Sequence, residues 1–146
     1  MHYEGSFGVV SSRDAVYSFV TDPKSVATIL PDVQDVKIID ANSFSLKAKL
    51  GFSLVNGLMD VKCTFTEKNP YTFLRLNATA DGLSSVVDLE SSFTLEDMQG
   101  GGTRVKWTAD ARIAGLIARV GSRLIDSATE RYVTRMIDAL KQKLCQ

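Results

Sequence analysis

Apolar and polar residues alternate through the middle of the chain, and this alternation predicts β-strands. Within residues 33–110, several segments carry an apolar side chain at every second position, the period of a strand that buries one face. In the segment SFSLKAKL, for example, Phe44, Leu46 and Leu50 fall on one face, and serine and lysines on the other. Short turns such as KNP and QGGG suit antiparallel hairpins. With a first strand in HYEGSFGVV, the pattern predicts an antiparallel sheet of about seven strands with one apolar face.

Two short helices are predicted after the first strand. In SSRDAVYSFVTDP, Ser11 or Ser12 can cap the start of a helix, and Pro23 ends it. A second helix of one or two turns follows in KSVATILPDV. It ends before Pro31, because a residue that precedes proline is disfavoured in the helical conformation.

A single long helix is predicted at the end of the chain, from about Leu116 to Leu144. Apolar residues recur there at intervals of three and four, the spacing of one helical face. Such a helix would be roughly 43 Å long at 1.5 Å per residue, enough to cover the whole sheet. The predicted buried stripe comprises Ile117, Val120, Leu124, Ala128, Tyr132, Met136, Leu140 and Leu144. The fold class is therefore α+β, a curved sheet of about seven strands wrapped around a long C-terminal helix in a single domain over residues 1–146.

Composition and charge narrow the class of protein. The chain has 146 residues, 45% of them hydrophobic, and no apolar run approaches the ~20 residues of a membrane span. Its start lacks the pattern of a secretory signal, so we expect a cytoplasmic protein. Equal numbers of basic and acidic residues, 17 each, argue against a general nucleic-acid binder. From Arg112 onward, seven basic residues face three acidic ones, which either steers an anionic partner or surface, or suits the helix dipole.

The titratable residues do not indicate catalysis. Cys63 and Cys145 stand apart, without the spacing of a zinc site or a redox pair. The single histidine, His2, lies at the terminus, so no general acid or base is evident, and we expect no metal and no cofactor. Arg75 and Asn77 could reach the helix side of the sheet and bind a polar head group, but exposure of both is the favoured interpretation.

Four phrases of the sequence resemble the family of the G subunit of carbon monoxide dehydrogenase (CoxG), a branch of the START-related (SRPBCC) superfamily with the helix-grip fold of birch-pollen-allergen-like proteins. They are YEGSFGV, DPKSVATILPDV, KLGFSLVNGLMDV and GTRVKWTADARIAGLIARVGSRLI, and they extend over nearly the whole chain. The last phrase, with Gly115 and Gly121, is the most specific. Longer members of the family carry a C-terminal extension thought to reach the membrane. This sequence stops at Gln146, directly after the predicted helix, so we do not expect an anchor of that kind.

The resemblance implies a hydrophobic-ligand cavity between sheet and helix. It also implies an accessory link to a molybdenum-containing carbon monoxide dehydrogenase or a related hydroxylase. Plain core packing is the alternative for every side chain that would line such a cavity. The predicted lining residues are Phe44, Leu46, Phe65, Phe93, Trp107, Leu116, Val120 and Leu124.

Two glycine-containing segments are predicted to gate this cavity. The apolar segment GFSLVNGL lies between two strands, and the start of the last helix carries two glycines that allow a close approach or a shift. A tight hairpin with a left-handed glycine is the alternative for Gly57. The predicted gate residues are Gly51, Leu54, Val55, Gly57, Gly115 and Gly121. The segment ARIAGLIARVGSRLI would then be a lid whose Arg119 and Arg123 face outward, toward a partner or a membrane surface.

Three functions remain open. The first is a carrier for a lipid- or quinone-like molecule, which predicts an apolar cavity. The second is an adaptor that recruits the dehydrogenase to the membrane surface, which predicts binding to anionic vesicles through Arg119 and Arg123. The third is a small-molecule cyclase or hydrolase, which predicts polar residues that converge inside the cavity. We favour the carrier; the sequence does not indicate the oligomeric state.

Overall fold

The seven strands predicted by the alternation form one antiparallel sheet. The computed structural model describes residues 1–52 and 54–144, and Phe52 by its backbone alone. Within these ranges the sheet has the order β1-β7-β6-β5-β4-β3-β2, so β1 and β2 are its edges. The strands are β1 (His2–Val9), β2 (Val33–Asp40), β3 (Ser43–Phe52), β4 (Val55–Asn69), β5 (Phe73–Gly82), β6 (Ser85–Asp97) and β7 (Thr103–Gly115).

Two short helices carry the chain from one edge of the sheet to the other, as predicted. Helix α1 (Arg13–Val20) begins after Ser12, whose Oγ accepts a hydrogen bond from the Ala15 N–H at 3.3 Å. That bond satisfies one of the free N–H groups at the start of the helix. Helix α2 (Pro23–Ile29) begins with a proline, which suits a first helical position, and ends before Pro31.

The prediction of one helix from Leu116 to Leu144 is wrong at its start. The chain first forms a 3-10 helix, Leu116–Val120, and the α-helix α3 runs from Ser122 to Leu144. Gly121 separates the two with φ at 100°, a backbone conformation that a continuous helix does not contain. Helix α3 therefore has 23 residues and is about 35 Å long at 1.5 Å per residue.

The break also changes which side chains face the sheet. Leu124 was expected in the buried stripe, but its side chain is 46% exposed, and Ile125 takes its place at 5%. Leu116 is also exposed, at 42%. Because the backbone turns at Gly121, the residues on either side do not share one helical phase. Four residues of the predicted stripe are buried, namely Ile117, Ala128, Leu140 and Leu144, and three are partly buried, namely Val120, Tyr132 and Met136.

The core consists of two separate clusters of buried side chains, one near each end of α3. The larger cluster joins α1, α2 and the last turns of α3 to the sheet, and we call this the closed end. The smaller cluster consists of Met59, Ile117 and Ile125, with Leu83 and Val55 packed partly against it. It lies where the β3–β4 turn, the β5–β6 turn and the 3-10 helix meet, which we call the open end.

Polar contacts hold α3 over the concave face of the sheet from both sides. The Tyr3 hydroxyl on β1 donates to Asp126 Oδ1 at 2.7 Å, and the Tyr132 hydroxyl donates to the carbonyl of Lys49 on β3. Arg135 forms two hydrogen bonds with the Asp32 carboxylate, at 2.9 and 3.3 Å. Helix α3 is thus tied to β1, to β3 and to Asp32 just before β2.

A candidate ligand-binding cleft

The middle of the concave face is only thinly covered. Of the described residues that face α3 there, Leu89, Trp107, Ala109 and Ala111 belong to neither cluster and pack against neither. The Trp107 ring packs against Gly5 on the neighbouring strand, where a Cβ atom would come within 2.9 Å of Trp107 Cζ2. Ala109 and Ala111 follow Trp107 on the helix-facing side of β7, so small side chains stand between the two clusters.

Ser91 adds a polar group to this apolar surface. It lies on the helix-facing side of β6, between Leu76 and Ala109, and is only 8% exposed. Its hydroxyl makes no hydrogen bond to any residue that the structure describes. In the same residues, every fully enclosed side-chain oxygen has a partner. The Ser91 oxygen must therefore open onto accessible space, where a bound molecule could satisfy it.

A cleft of about 650 Å³ opens beside this surface at the open end. It exists because β7 extends beyond β1. The backbone N–H and C=O of Ala111 both pair with Met1, at 2.8 Å each, and β7 then continues to Gly115 past the end of β1. In an antiparallel ladder every second residue points its backbone groups to the same side, so those of Ile113 face the cleft. The cleft is lined by Met1, Val86, Asp88, Ala111, Arg112, Ile113, Ala114, Ala118, Ser122 and Ile125.

The segment predicted to be a lid supplies most of this lining. Seven of the ten lining residues lie within residues 111–125. The segment is the end of a strand, a 3-10 helix and the start of α3, rather than the start of one helix. Arg119 and Arg123 are exposed on it, as predicted, and neither forms an ion pair with a residue in the described ranges.

The two glycines of the lid have different surroundings. A Cβ atom at Gly115 would lie 2.2 Å from the Ser84 carbonyl oxygen, so this glycine permits a tight contact with the β5–β6 turn. Next to it, the Leu116 N–H donates to that same oxygen at 3.0 Å, and the Ile117 N–H donates to Ser85 Oγ at 2.9 Å. A Cβ atom at Gly121 would meet no atom of the described residues within 4 Å. Gly115 is therefore packed against the β5–β6 turn, whereas open space surrounds Gly121.

The other predicted gate segment is a tight hairpin. Strand β3 runs through Gly51 to Phe52, and β4 begins at Val55, which packs against the smaller cluster. Leu54 at the turn is 96% exposed. Gly57 has φ at 146°, so the predicted positive φ is present, although it lies within β4 rather than at the turn.

The predicted lining residues do not form one surface. Phe44, Leu46 and Phe65 are fully buried members of the larger cluster, and Phe93 packs partly against it. Val120 is partly buried, whereas Leu116 and Leu124 point to solvent. Of the eight predicted residues, Trp107 lies in the thinly covered region. The structure adds residues that the sequence analysis missed: Ser91, Ala109, Ala111, Ile113 and Ile125. For Ser91, Ala109 and Ala111 the signal was a small or polar residue at an inward strand position, which the search for large apolar side chains passed over. Ile113 lies at the next inward position of β7, and Ile125 was missed because the predicted helix put Leu124 in the buried stripe.

In the described part of the chain, Cys63 and His2 both lie outside the cleft. Burial raises the pKa of the Cys63 thiol to about 12, so it is a thiol at neutral pH. His2 is exposed on the face opposite α3, where its Nδ1 lies 2.6 Å from Asp110. Arg75 also lies on that opposite face and pairs with Glu67 at 2.9 Å. The expected exposure of Asn77 is confirmed.

A second cleft, of about 890 Å³, lies on the opposite side of the sheet from α3 and is rich in charge, with Lys47, Lys62, Asp60 and Asp81 among its lining residues. Within residues 1–52 and 54–144, no group of three or more His, Cys, Asp or Glu side chains is placed to hold a metal ion. None of the helices in these ranges has the length and hydropathy needed to traverse a bilayer.

Comparison with known proteins identifies the fold and the family. The chain is similar to a conserved protein from Geobacillus kaustophilus, with 17% identity, a TM-score of 0.90 and coverage of 99% of this chain and 95% of that one. It is also similar to the Zhui aromatase/cyclase from Streptomyces sp. R1128, with 12% identity, a TM-score of 0.72 and coverage of 99% and 93%. A START superfamily protein from Mycobacterium smegmatis is 10% identical, with a TM-score of 0.71 and coverage of 98% and 96%.

At these identities the solved structures show the fold alone, which is START-like. No curated protein matches the sequence significantly. The family model for the G subunit of carbon monoxide dehydrogenase (CoxG) matches residues 5–145, almost the whole chain. The chain therefore belongs to the CoxG family of carbon monoxide dehydrogenase.

Proposed function

We propose that this protein binds a hydrophobic small molecule, lipid- or quinone-like, between the concave face of the sheet and α3. The observation that carries the proposal is the thinly covered stretch of that face between the two clusters, next to Trp107 and Ala109. The cleft that opens beside it, at about 650 Å³, has the size of small-molecule sites in proteins, roughly 300–1,000 Å³.

The side chains of this stretch offer both kinds of contact that such a ligand needs. Trp107 and its neighbours supply an apolar surface, and the Ser91 hydroxyl, which has no partner among the described residues, supplies a hydrogen bond for one polar group of the molecule.

Membership of the CoxG family supports a role beside a larger enzyme. We propose that the protein acts in the cytoplasm, beside a molybdenum-containing enzyme of the carbon monoxide dehydrogenase type, and contacts the inner face of the membrane peripherally. The redox chemistry then belongs to the dehydrogenase. This chain supplies the apolar surface that keeps its ligand out of water.

Native mass spectrometry of the gently purified protein, followed by organic extraction, tests the proposal. We expect a stoichiometric hydrophobic molecule, or, after its removal, uptake of the neutral fluorescent probe N-phenyl-1-naphthylamine. The variant Ala109→Phe places a ring in the thinly covered region and should weaken probe binding at least tenfold. Thr108→Phe is the matched control, because it adds the same ring on the opposite face of β7.

Two results would overturn the proposal. One is an apo mass combined with no probe uptake by the folded protein. The other is equal loss of probe binding in the Ala109 and Thr108 variants, which would place the bound probe outside the space beneath α3.

A further inference from the structure

Strand β2, at one edge of the sheet, carries three exposed large apolar side chains. Val36 is 40% exposed, Ile38 44% and Ile39 53%. They belong to the eleven large apolar residues that the described part of the chain exposes, and no other strand there has more than one. Water therefore contacts an apolar surface along this edge, whereas charged side chains are the usual protection of an edge strand.

The apolar core of the molecule continues to this edge. Ile38 is paired with Phe44 on β3, so both side chains lie on the helix-facing side of the sheet. Phe44 is fully buried in the larger cluster, whereas Ile38, one strand further out, is nearly half exposed. The core thus ends at β2 without a cover.

The backbone of Ile38 points its hydrogen-bonding groups away from the sheet. The Lys49 N–H donates to the Asp32 carbonyl, which indicates that the odd-numbered residues of β3 bond toward β2. Ser45 is one of these, so its partner Lys37 directs its N–H and C=O to β3. The next residue, Ile38, directs the same groups to the outer edge, where no further strand follows within the described residues.

We propose that β2 pairs in antiparallel orientation with β2 of a second copy of this chain, about a two-fold axis at Ile38. Two unpaired strand edges complement each other through their backbone groups. A two-fold axis closes the assembly at a dimer, because both copies use the same surface. The second copy supplies hydrogen-bond partners for the backbone of Ile38 and covers the three apolar side chains.

The charges of β2 select this register. An axis at Lys37 would place two lysines directly opposite each other, which is destabilising. An axis at Ile38 instead places Lys37 opposite the apolar Ile39 of the second copy, one residue from its Asp40. Lys37 makes no ion pair with any residue in the described ranges, so its ammonium group is available to that carboxylate.

Two irregularities in β2 keep the pairing short. The register with β3 shifts between Gln34 and Lys37, where Asp35 has φ at 54°, and again between Ile38 and Asp40. Bulges of this kind twist an edge away from long strand partners, which protects against fibres. The interface therefore buries less than the about 1,200–2,000 Å² of a typical stable complex, and we expect a weak dimer that exchanges with the monomer in the micromolar range.

This pairing does not depend on the proposed function, and it leaves the cleft open. Strands β1 and β2 are opposite edges of the sheet, and none of the residues that line the cleft belongs to β2. A dimer joined at β2 would therefore carry two clefts, one in each copy, away from the shared edge.

Analytical ultracentrifugation of the full chain tests the pairing. Between about 1 and 500 μM, we expect the average mass to rise from that of a monomer toward that of a dimer. The variant Ile38→Lys places two like charges at the axis and should weaken association about tenfold or more. Val86→Lys is the matched control, because Val86 is 39% exposed on β6, an interior strand, and its substitution should leave association unchanged.

A covalent cross-link tests the register. Residues that form a hydrogen-bonded antiparallel pair have Cα atoms about 5.5 Å apart, a separation that a disulfide spans. With Cys145 replaced by serine, Ile38→Cys should therefore form a covalent dimer under mild oxidation, and Val86→Cys should not. Cys63 does not interfere, because burial raises the pKa of its thiol to about 12.

Three results would overturn the proposal. A monomer at every concentration would exclude a second copy as the occupant and leave this edge to a strand of another protein. Equal weakening by Ile38→Lys and Val86→Lys would show that association follows charge rather than β2. A dimer in which Ile38→Cys cross-links no faster than Val86→Cys would place the axis elsewhere. Circular dichroism checks that the variants fold, and Ile39→Lys, at a position 53% exposed, replaces Ile38→Lys if that variant does not.

Discussion

His2 is a surface residue whose ionisation is changed by its neighbours in the fold. Its Nδ1 lies 2.6 Å from Asp110 and its Nε2 lies 3.3 Å from Glu4. The hydrogen bond to Asp110, followed by that to Glu4, raises the pKa of His2 above its ordinary value of about 6.5. The charged form is thus favoured in the folded chain, and the start of β1 is held to β7.

The sign of the pH effect follows from this shift. Because the folded-state pKa is the higher one, the pair stabilises the fold below pH ~6.5, and this contribution is lost as the pH rises through the folded-state pKa. NMR titration of the single histidine should give a pKa above 6.5 in the wild type and a lower pKa in Asp110→Asn, in which the hydrogen bond to Glu4 remains. The distant Asp138→Asn should leave the pKa unchanged. The same pKa in all three proteins would contradict the assignment.

At the scale of elements, the break between the 3-10 helix and α3 decides which residues face the sheet. It predicts that Ile125, rather than its neighbour Leu124, is a core residue. Ile125→Ala should destabilise the fold by about 2–5 kcal/mol, because it leaves a cavity in the smaller cluster. Leu124→Ala should change the free energy of unfolding by about 0.5 kcal/mol, as is usual at the surface. Urea denaturation measures the free energy of unfolding of both variants. A larger loss of stability in Leu124→Ala than in Ile125→Ala would contradict the break and support one continuous helix.

The two glycines of the lid give a second prediction at this scale. Both have positive φ with extended ψ, a region that residues other than glycine enter at a cost of about 1–3 kcal/mol. Gly121→Ala should cost about this amount. Gly115→Ala should cost more, because its methyl group would also collide with the Ser84 carbonyl oxygen. Thermal or urea unfolding ranks the two variants, and equal losses would show that the Ser84 contact adds nothing.

Most elements were predictable because their signals accumulate over many residues. Alternation over whole strands predicts the sheet, and Ser12, Pro23 and Pro31 mark the ends of the short helices. The break at Gly121 was not predicted, since the apolar spacing of Ile117, Val120 and Leu124 continues across it. The interval between apolar residues predicts which side chains could share a helical face, but it does not show whether the backbone between them stays helical.

The cleft was less predictable than the fold. It arises because β7 runs past the end of β1, a difference that depends on the register between two strands at opposite ends of the sequence. The small and polar residues beside it on the helix-facing side of the sheet, Ser91, Ala109 and Ala111, give no strong signal in a single sequence, since small residues at inward positions also occur in packed sheets. Large apolar residues such as Phe44 and Phe65 were predicted to line the cavity, but they lie in the packed core.

For the whole molecule, the two clusters imply unequal stability along α3. The closed end has many mutually packed side chains, whereas the open end depends on three buried residues, Met59, Ile117 and Ile125. Regions with few buried contacts open at lower free energy than the core. We therefore expect the closed end to have the higher local stability and the open end, beside the cleft, to have the lower one.

Hydrogen exchange followed by mass spectrometry should resolve this difference. Amides in residues 113–120 are expected to exchange faster than those around Phe44 and Phe65. Bound N-phenyl-1-naphthylamine should slow exchange mainly in residues 113–120. Uniform protection along the chain, with or without the probe, would show that the two clusters open as one unit.

The pairing of Met1 with Ala111 has a practical consequence for handling the protein. Residues fused ahead of Met1 would continue β1 along the edge of β7 and could pair with Ile113, whose backbone groups face the cleft. A purification tag placed there would cover the entrance with added strand and compete with whatever enters it. Leu144 lies at the opposite end of α3, in the larger cluster. A removable tag at the C-terminus would leave the entrance uncovered, and comparing the two tagged forms would itself report on access.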